Sequence, residues 1–232
     1  MNSEYGGMSA SMPASMVGVE ERADFISKTY MHLFGAMIGF VLFEMFLFQT
    51  GIAEAIAMPL IEQPLIVFGG FLLVSWFASR VALRTESLAA QYGALAAFVA
   101  VWGIMFVPIL FIAQATAPGV INSAATVTLL GFAGLTAVAF MTRKDFSFLG
   151  GILRWVGIMA IIAIFGSIIF GFELGTYFSL GMIAFAGAAI LYDTSNILHH
   201  YPQDRYVAAA LALFSSVALM FWYILRLFLS RD

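Results

Sequence analysis

Seven stretches of about twenty mostly apolar residues, joined by short polar connectors, constrain this chain more than anything else in it. A helix that crosses the roughly 30 Å hydrocarbon core of a bilayer needs about that many residues. The windows predict spans near residues 31–50, 63–82, 88–111, 121–142, 150–171, 175–197 and 206–228. Pro59 and Pro64, Arg80 to Glu86, Pro118-Gly119, Arg143-Lys144-Asp145, Gly171 to Gly175 and Pro202-Gln203-Asp204 punctuate the gaps. No gap is long enough for a second domain, so residues 21–232 read as one all-α bundle embedded in a lipid bilayer. The composition agrees. With 62% hydrophobic residues, 10% charged residues and 24 Phe in 232 residues, the apolar surface exceeds what a soluble core of this length can hide.

Charge gives the orientation, because Lys and Arg in short connectors are retained on the cytoplasmic side. Arg22, Lys28, Arg80, Arg84, Arg143, Lys144, Arg154 and Arg205 fall on one side of a seven-span topology, and Arg226 and Arg231 on the other. This predicts a cytoplasmic N-terminus and a periplasmic C-terminus. A re-entrant last helix, which would return Arg226 and Arg231 to the inside, is the alternative. Residues 1–20 are rich in Met, Ser, Gly and Ala, with Glu4 and Glu20 as their only charges. They are expected to form a disordered cytoplasmic tail, and they lack the basic and apolar regions of a secretory signal. Glu20 to Tyr30 fits either a short interfacial helix leading into the first span or a solvated lead-in.

Several chemistries fail for want of their obligatory residues. The net charge of -3 gives no basic surface for nucleic acid. The absence of Cys excludes disulfides, thiolate metal sites and cysteine nucleophiles. Lys28 and Lys144 sit at helix ends, so no lysine is placed for a mid-membrane Schiff base. His32, His199 and His200 also lie at span ends, away from any intramembrane serine, and form no His-Glu-x-x-His pair. His199 and His200 near Asp204 read as a wet connector rather than a metal site. No catalytic residue, cofactor or metal is expected.

The buried polar groups are then the leads. Asp193 lies in the apolar sequence Ala-Ile-Leu-Tyr-Asp-Thr-Ser-Asn-Ile. An ionisable group in a spanning helix costs roughly 2.5–3.5 kcal/mol on insertion scales, so it normally faces a cavity or a partner. At helical spacing Asp193 shares a face with Ala186, Ala189 and Asn196, small enough to let a neighbouring helix approach. Arg80 ends the second span at the same level, and the two are expected to form a partly buried ion pair latching that end of the bundle. A structural latch and a gating or proton-sensing latch both fit. Glu44, two-thirds of the way through the first span, must be neutralised by a proton or wetted from outside, and a packing or cavity role is preferred to an ion ligand. Gly35 and Gly39, and Ser167 with Gly171, have the spacing of close helix approach. Pro108 should kink the third span and free a carbonyl.

The residues also resemble a known family. Ile190-Leu-Tyr-Asp-Thr-Ser-Asn-Ile197, Ala209 to Leu213 and Ile224-Leu-Arg-Leu-Phe228 are similar to the Bax inhibitor-1 family. Thr142-Arg-Lys-Asp-Phe-Ser-Phe-Leu-Gly-Gly-Ile-Leu153 and Ser230-Arg-Asp232 resemble its bacterial YccA branch, and the likeness runs from about Arg22 to the end. The resemblance implies seven helices with the last one surrounded by the other six. It also implies two functional themes. Some members are pH-sensitive calcium leaks governed by an Asp pair. Asp193 matches the first of that pair, but Ser216 stands at the second position. The YccA branch implies a bacterial inner-membrane protein that modulates the membrane AAA protease FtsH. An exposed cytoplasmic tail suits that role, because an unfolding motor needs a segment that is easily engaged. Modulation of FtsH is the reading preferred here, with a calcium or proton leak past Asp193 as the alternative.

Overall fold

The computed structural model describes residues 18–85 and 87–230. The expected disordered tail falls mostly on residues 1–17, outside the described residues. Among the described residues eight α-helices follow in chain order: α1 Val19–Gln49, α2 Ile52–Glu62, α3 Pro64–Arg84, α4 Leu88–Thr116, α5 Val120–Thr142, α6 Leu149–Phe170, α7 Thr176–His199 and α8 Tyr206–Leu229. Seven of them, all but α2, are long and apolar enough to cross a membrane.

Two sequence boundaries are corrected. The segment Glu20 to Tyr30 is no separate interfacial helix, because α1 runs unbroken for 31 residues, about 46 Å at 1.5 Å per residue. No Gly or Pro interrupts it before Gly35, and Lys28 pairs with Asp24 one turn back at 2.6 Å. The first connector is itself helical. Gly51 turns the chain at φ 75°, a backbone conformation that favours glycine, and α2 then buries Ala53 and Ala57 against Leu47 and Val107. An 11-residue apolar run is too short to span, so length alone reads it as a connector.

The last helix is central. Its membrane window is 72% buried, against 50% for α4 and 6% for α6. After Tyr206, the first turns of α8 carry Val207, Ala208, Ala209 and Ala210, all buried, whose modest size lets neighbours close in where hydrophobic driving force is absent and van der Waals packing holds helices together. Helices α1, α3, α4, α5 and α7 pack along it. The sixth neighbour is peripheral: α6 joins α8 in a small cluster of Ala160, Met182 and Tyr223. Phe106, fully buried, meets Phe40 at 5.1 Å, Phe221 at 5.2 Å and Trp222 at 5.1 Å between ring centroids, and each such pair adds about 0.5–1.5 kcal/mol beyond burial.

The glycines that pack closely are not the paired ones. Gly35 and Gly39 have open space where a side chain would stand, whereas a Cβ on Gly103 would lie 2.5 Å from Phe43 Cδ1. Of the tryptophans, Trp102 is buried and Trp222 packs against the core, while Trp76 and Trp155 are exposed. Three arginines stitch helix ends together: Arg22 donates to Leu198 O and Arg226 to Leu174 O, both at 2.7 Å, and Arg205 donates to Thr85 O. Leu198 and Thr85 lie at the C-terminal ends of α7 and α3, where carbonyls lack intrahelical partners and a cation satisfies them, whereas Leu174 lies in the α6–α7 connector.

Candidate functional site

Helix α7 carries Asp193 into the space between α3 and α8, at the end of the bundle where the connectors are basic. A cavity of about 310 Å³ opens beside it, lined by Ser79 and Ala82 of α3, Ala189 of α7, and Ala212, Ser215 and Ser216 of α8. The small residues follow from the i, i+3, i+4 spacing on each helix, which sets a shallow stripe against its neighbour. Asp193 Oδ2 accepts a hydrogen bond from Ser216 Oγ at 2.6 Å, within the usual range for a hydroxyl donor. The position at which the resemblance implies a second acid is therefore in direct contact with Asp193, and it holds a hydroxyl.

Arg80 is not part of this contact. The ion pairs among the described residues are Lys28 with Asp24, His200 with Asp145 and Arg205 with Asp204. Instead the Arg80 guanidinium lies over the Trp76 ring, 4.3 Å from its centroid, a cation–π arrangement. The reason is helical rotation. Successive residues are about 100° apart around a helix; Ser79 faces the cavity, and Arg80, one step on, is turned outward and exposed.

Glu44 stands apart from both. It is 8% exposed, and neither carboxyl oxygen has a hydrogen-bond partner among the described residues. It lines a larger cavity of about 680 Å³ between α1, α4, α5 and α8, reaching the α4–α5 connector at Pro118 and Gly119. On α8 this cavity takes Phe214, Val217, Ala218 and Phe221, whereas the Asp193 cavity takes Ala208, Leu211, Ala212, Ser215, Ser216 and Leu219. The centres of these two stripes are roughly 140° apart at about 100° per residue. Two carboxyls thus flank one central helix.

The basic rim holds a third constellation that the sequence reading passed over. Ser147 N–H donates to Asp145 Oδ1 at 2.8 Å, Phe146 N–H donates to Ser195 Oγ at 2.8 Å, and His200 Nε2 lies 3.0 Å from Asp145 Oδ2. The Ser147 amide, with smaller help from the Ser147 hydroxyl and His200, pulls the Asp145 carboxyl down to about 2. The turn ties the α5–α6 connector to the end of α7 just beyond Asp193. The Asp-x-Ser spacing of a side-chain turn was its only sequence signal. His200 thus meets Asp145, not Asp204. Tyr201, which also borders the Asp193 cavity, has its phenol pushed up by burial and so stays a neutral hydroxyl. Among the described residues no group of three or more His, Cys, Asp or Glu side chains is arranged to hold a metal ion.

Fold and site together define a polytopic α-helical membrane protein with a central last helix and a lone acid on the helix before it. The chain belongs to the Bax inhibitor-1 family: the family model described as Inhibitor of apoptosis-promoting Bax1 matches residues 22–232. It is 37% identical over 112 residues to an uncharacterized protein of Pseudomonas aeruginosa, covering 47% of this chain and 49% of that one. It is 32% identical over 168 residues to Bax inhibitor 1 of Schizosaccharomyces pombe, covering 68% and 60%. It is 34% identical over 108 residues, 45% of this chain and 49% of the other, to the Escherichia coli K12 protein named modulator of FtsH protease YccA. The same figures hold for the strain O6:H1 protein named inner membrane protein YccA. The chain spans about half to three-fifths of the length of these relatives.

Proposed function

We propose that this protein works in a bacterial inner membrane as a modulator of the membrane AAA protease FtsH, without a catalytic step of its own. The observation that carries this reading is the likeness to the Escherichia coli protein named for that role. The geometry beside Asp193 supports it in one respect. With Ser216 in contact instead of a second acid, the two-carboxylate proton sensor that the family resemblance implies for calcium leaks is incomplete. In this reading Asp193 and Ser216 form a latch between α7 and α8 that holds the bundle in one packing. Arg80 takes no part in the latch: its guanidinium lies over Trp76, one turn back on the same exposed face of α3.

The test is biochemical. Affinity purification of the full chain from membranes should recover FtsH, and deleting residues 1–17 should lengthen the protein's lifetime in cells with active FtsH. Absence of the protease from the eluate together with unchanged turnover overturns the reading. A reporter fused after residue 232 should behave as periplasmic if the N-terminus is cytoplasmic.

The rival is a pH-sensitive calcium leak. Its support is the cavity of about 310 Å³ that reaches the Asp193 carboxyl. Calcium flux into liposomes holding the purified protein, lost in Asp193→Asn, would favour that rival.

A further inference from the structure

The cavity at Glu44 lies outside the Asp193 site, and its chemistry points to a ligand. A carboxyl that is nine-tenths buried, with both oxygens unpartnered among the described residues, must either hold a proton or meet a positive charge or a donor that takes the proton's place. Among the described residues none supplies either: no Lys or Arg borders the cavity, and the other polar side chains on its wall are Gln114, Asn122 and Thr128, none of them bonded to Glu44. Thr128 already donates its hydroxyl to Ala124 O at 2.7 Å.

What surrounds Glu44 is aromatic and soft. Phe40, Phe48, Phe214 and Phe221 border the space, with Met37 and Met45. Ring faces attract an organic cation once it is desolvated, and thioethers adapt to irregular apolar shapes. A hard metal ion would find too few oxygens, since calcium takes six to eight ligands and magnesium near-octahedral geometry. The volume of about 680 Å³ lies within the 300–1,000 Å³ range of small-molecule sites.

Access comes from the side. Val41, Met45 and Leu129 line the cavity and are 53%, 48% and 45% exposed, so the space opens laterally between α1 and α5. A compound already dissolved in the bilayer reaches it without crossing water.

We propose that this cavity binds lipophilic organic monocations, which enter from the bilayer between α1 and α5 and place their cationic centre against the Glu44 carboxyl.

The experiment uses the full chain in lipid nanodiscs and equilibrium dialysis of radiolabelled tetraphenylphosphonium, with empty nanodiscs measuring simple partitioning. The expected result is saturable binding of one equivalent above the empty discs. Glu44→Gln, which keeps the volume and removes the charge, should weaken it at least tenfold with an unchanged unfolding midpoint. Ala125→Phe, which fills the cavity wall, should abolish it. On the unmodified chain, unlabelled benzyltriphenylphosphonium should compete and neutral triphenylphosphine oxide should not. That competition decides the matter even where a variant fails to fold. No saturable binding, equal affinity in Glu44→Gln, or effective competition by the neutral compound overturns the proposal. Loss in Asp193→Asn with retention in Glu44→Gln places any site in the other cavity and overturns it equally.

Discussion

The two carboxyls set into this bundle flank the same central helix, yet the protein treats them differently. Asp193 meets a hydroxyl from α8 at 2.6 Å across a stripe of small residues. Glu44 faces a space more than twice as large, walled by Phe and Met, with nothing bonded to either oxygen. Both lie in apolar helices where an ionisable group is costly. The difference teaches that such a cost is met in two ways. A partner on the next helix makes the acid part of the packing, whereas an acid without one is left to a proton, a water or a ligand.

The comparison can be broken most forcefully at Gly103. A methyl group there would lie 2.5 Å from Phe43 Cδ1 and 3.3 Å from Glu44 Oε1. Gly103→Ala should destabilise the protein by about 1–3 kcal/mol through overpacking, read as a lower unfolding midpoint in detergent. Gly35→Ala, with open space at the same atom, should leave the midpoint level or slightly raised. Equal behaviour of the two would mean that Phe43 and Glu44 are not held against α4.

Next in size is the removal of the hydrogen-bond partner that Asp193 has among the described residues. Ser216→Ala should cost about 0.6 kcal/mol and at most about 1.7 kcal/mol, the average and the maximum of double-mutant cycles on hydrogen bonds inside a membrane protein. Glu44→Gln loses no protein partner and should stay within about 0.5 kcal/mol of the parent. A larger loss for Glu44→Gln than for Ser216→Ala would reverse the assignment of which acid is built into the packing.

Arg80 gives a smaller effect. Arg80→Ala should lose the contact with Trp76, about 0.5–1 kcal/mol at an exposed site. Combined with Asp193→Asn it should be additive within about 0.3–0.5 kcal/mol, since the two share no partner. Strong coupling in that cycle would restore the ion-pair latch read from the sequence.

The smallest effect concerns pH at the rim. Asp145 has its carboxyl held at about 2 in the folded protein, below the roughly 3.9 of an unfolded Asp. A depressed carboxylate contributes stability that is present above the unfolded value and lost as pH falls through the folded one. The α5–α6 turn should therefore show no change on this account from pH 8 to 5. The difference in unfolding midpoint between parent and Asp145→Asn should shrink between about pH 4 and 2. A difference that disappears near neutrality would assign the turn's stability to another group.

Much of this is legible in the amino-acid sequence. Apolar length is a local property, so the windows that mark seven spans needed no knowledge of neighbours, and all seven appear as long apolar helices. The motif around Asp193 and the Thr142 to Leu153 segment carried the family. Helix α2 and the unbroken α1 were missed because an 11-residue helix lies below spanning length and because a polar helical turn looks like a lead-in.

The sequence by itself determined the solvent, the number of spans, the family, and the fact that Ser216 stands where an acid was expected. Only the tertiary structure decided what each buried group touches. Most of these helices are apolar around their whole circumference, so no periodic pattern says which side turns inward, and a rotation of about 100° separates Ser79 in the cavity from Arg80 outside it. The packing of α1, α3, α4, α5 and α7 around α8 fixed that rotation. In doing so it gave Asp193 a partner and left Glu44 without one.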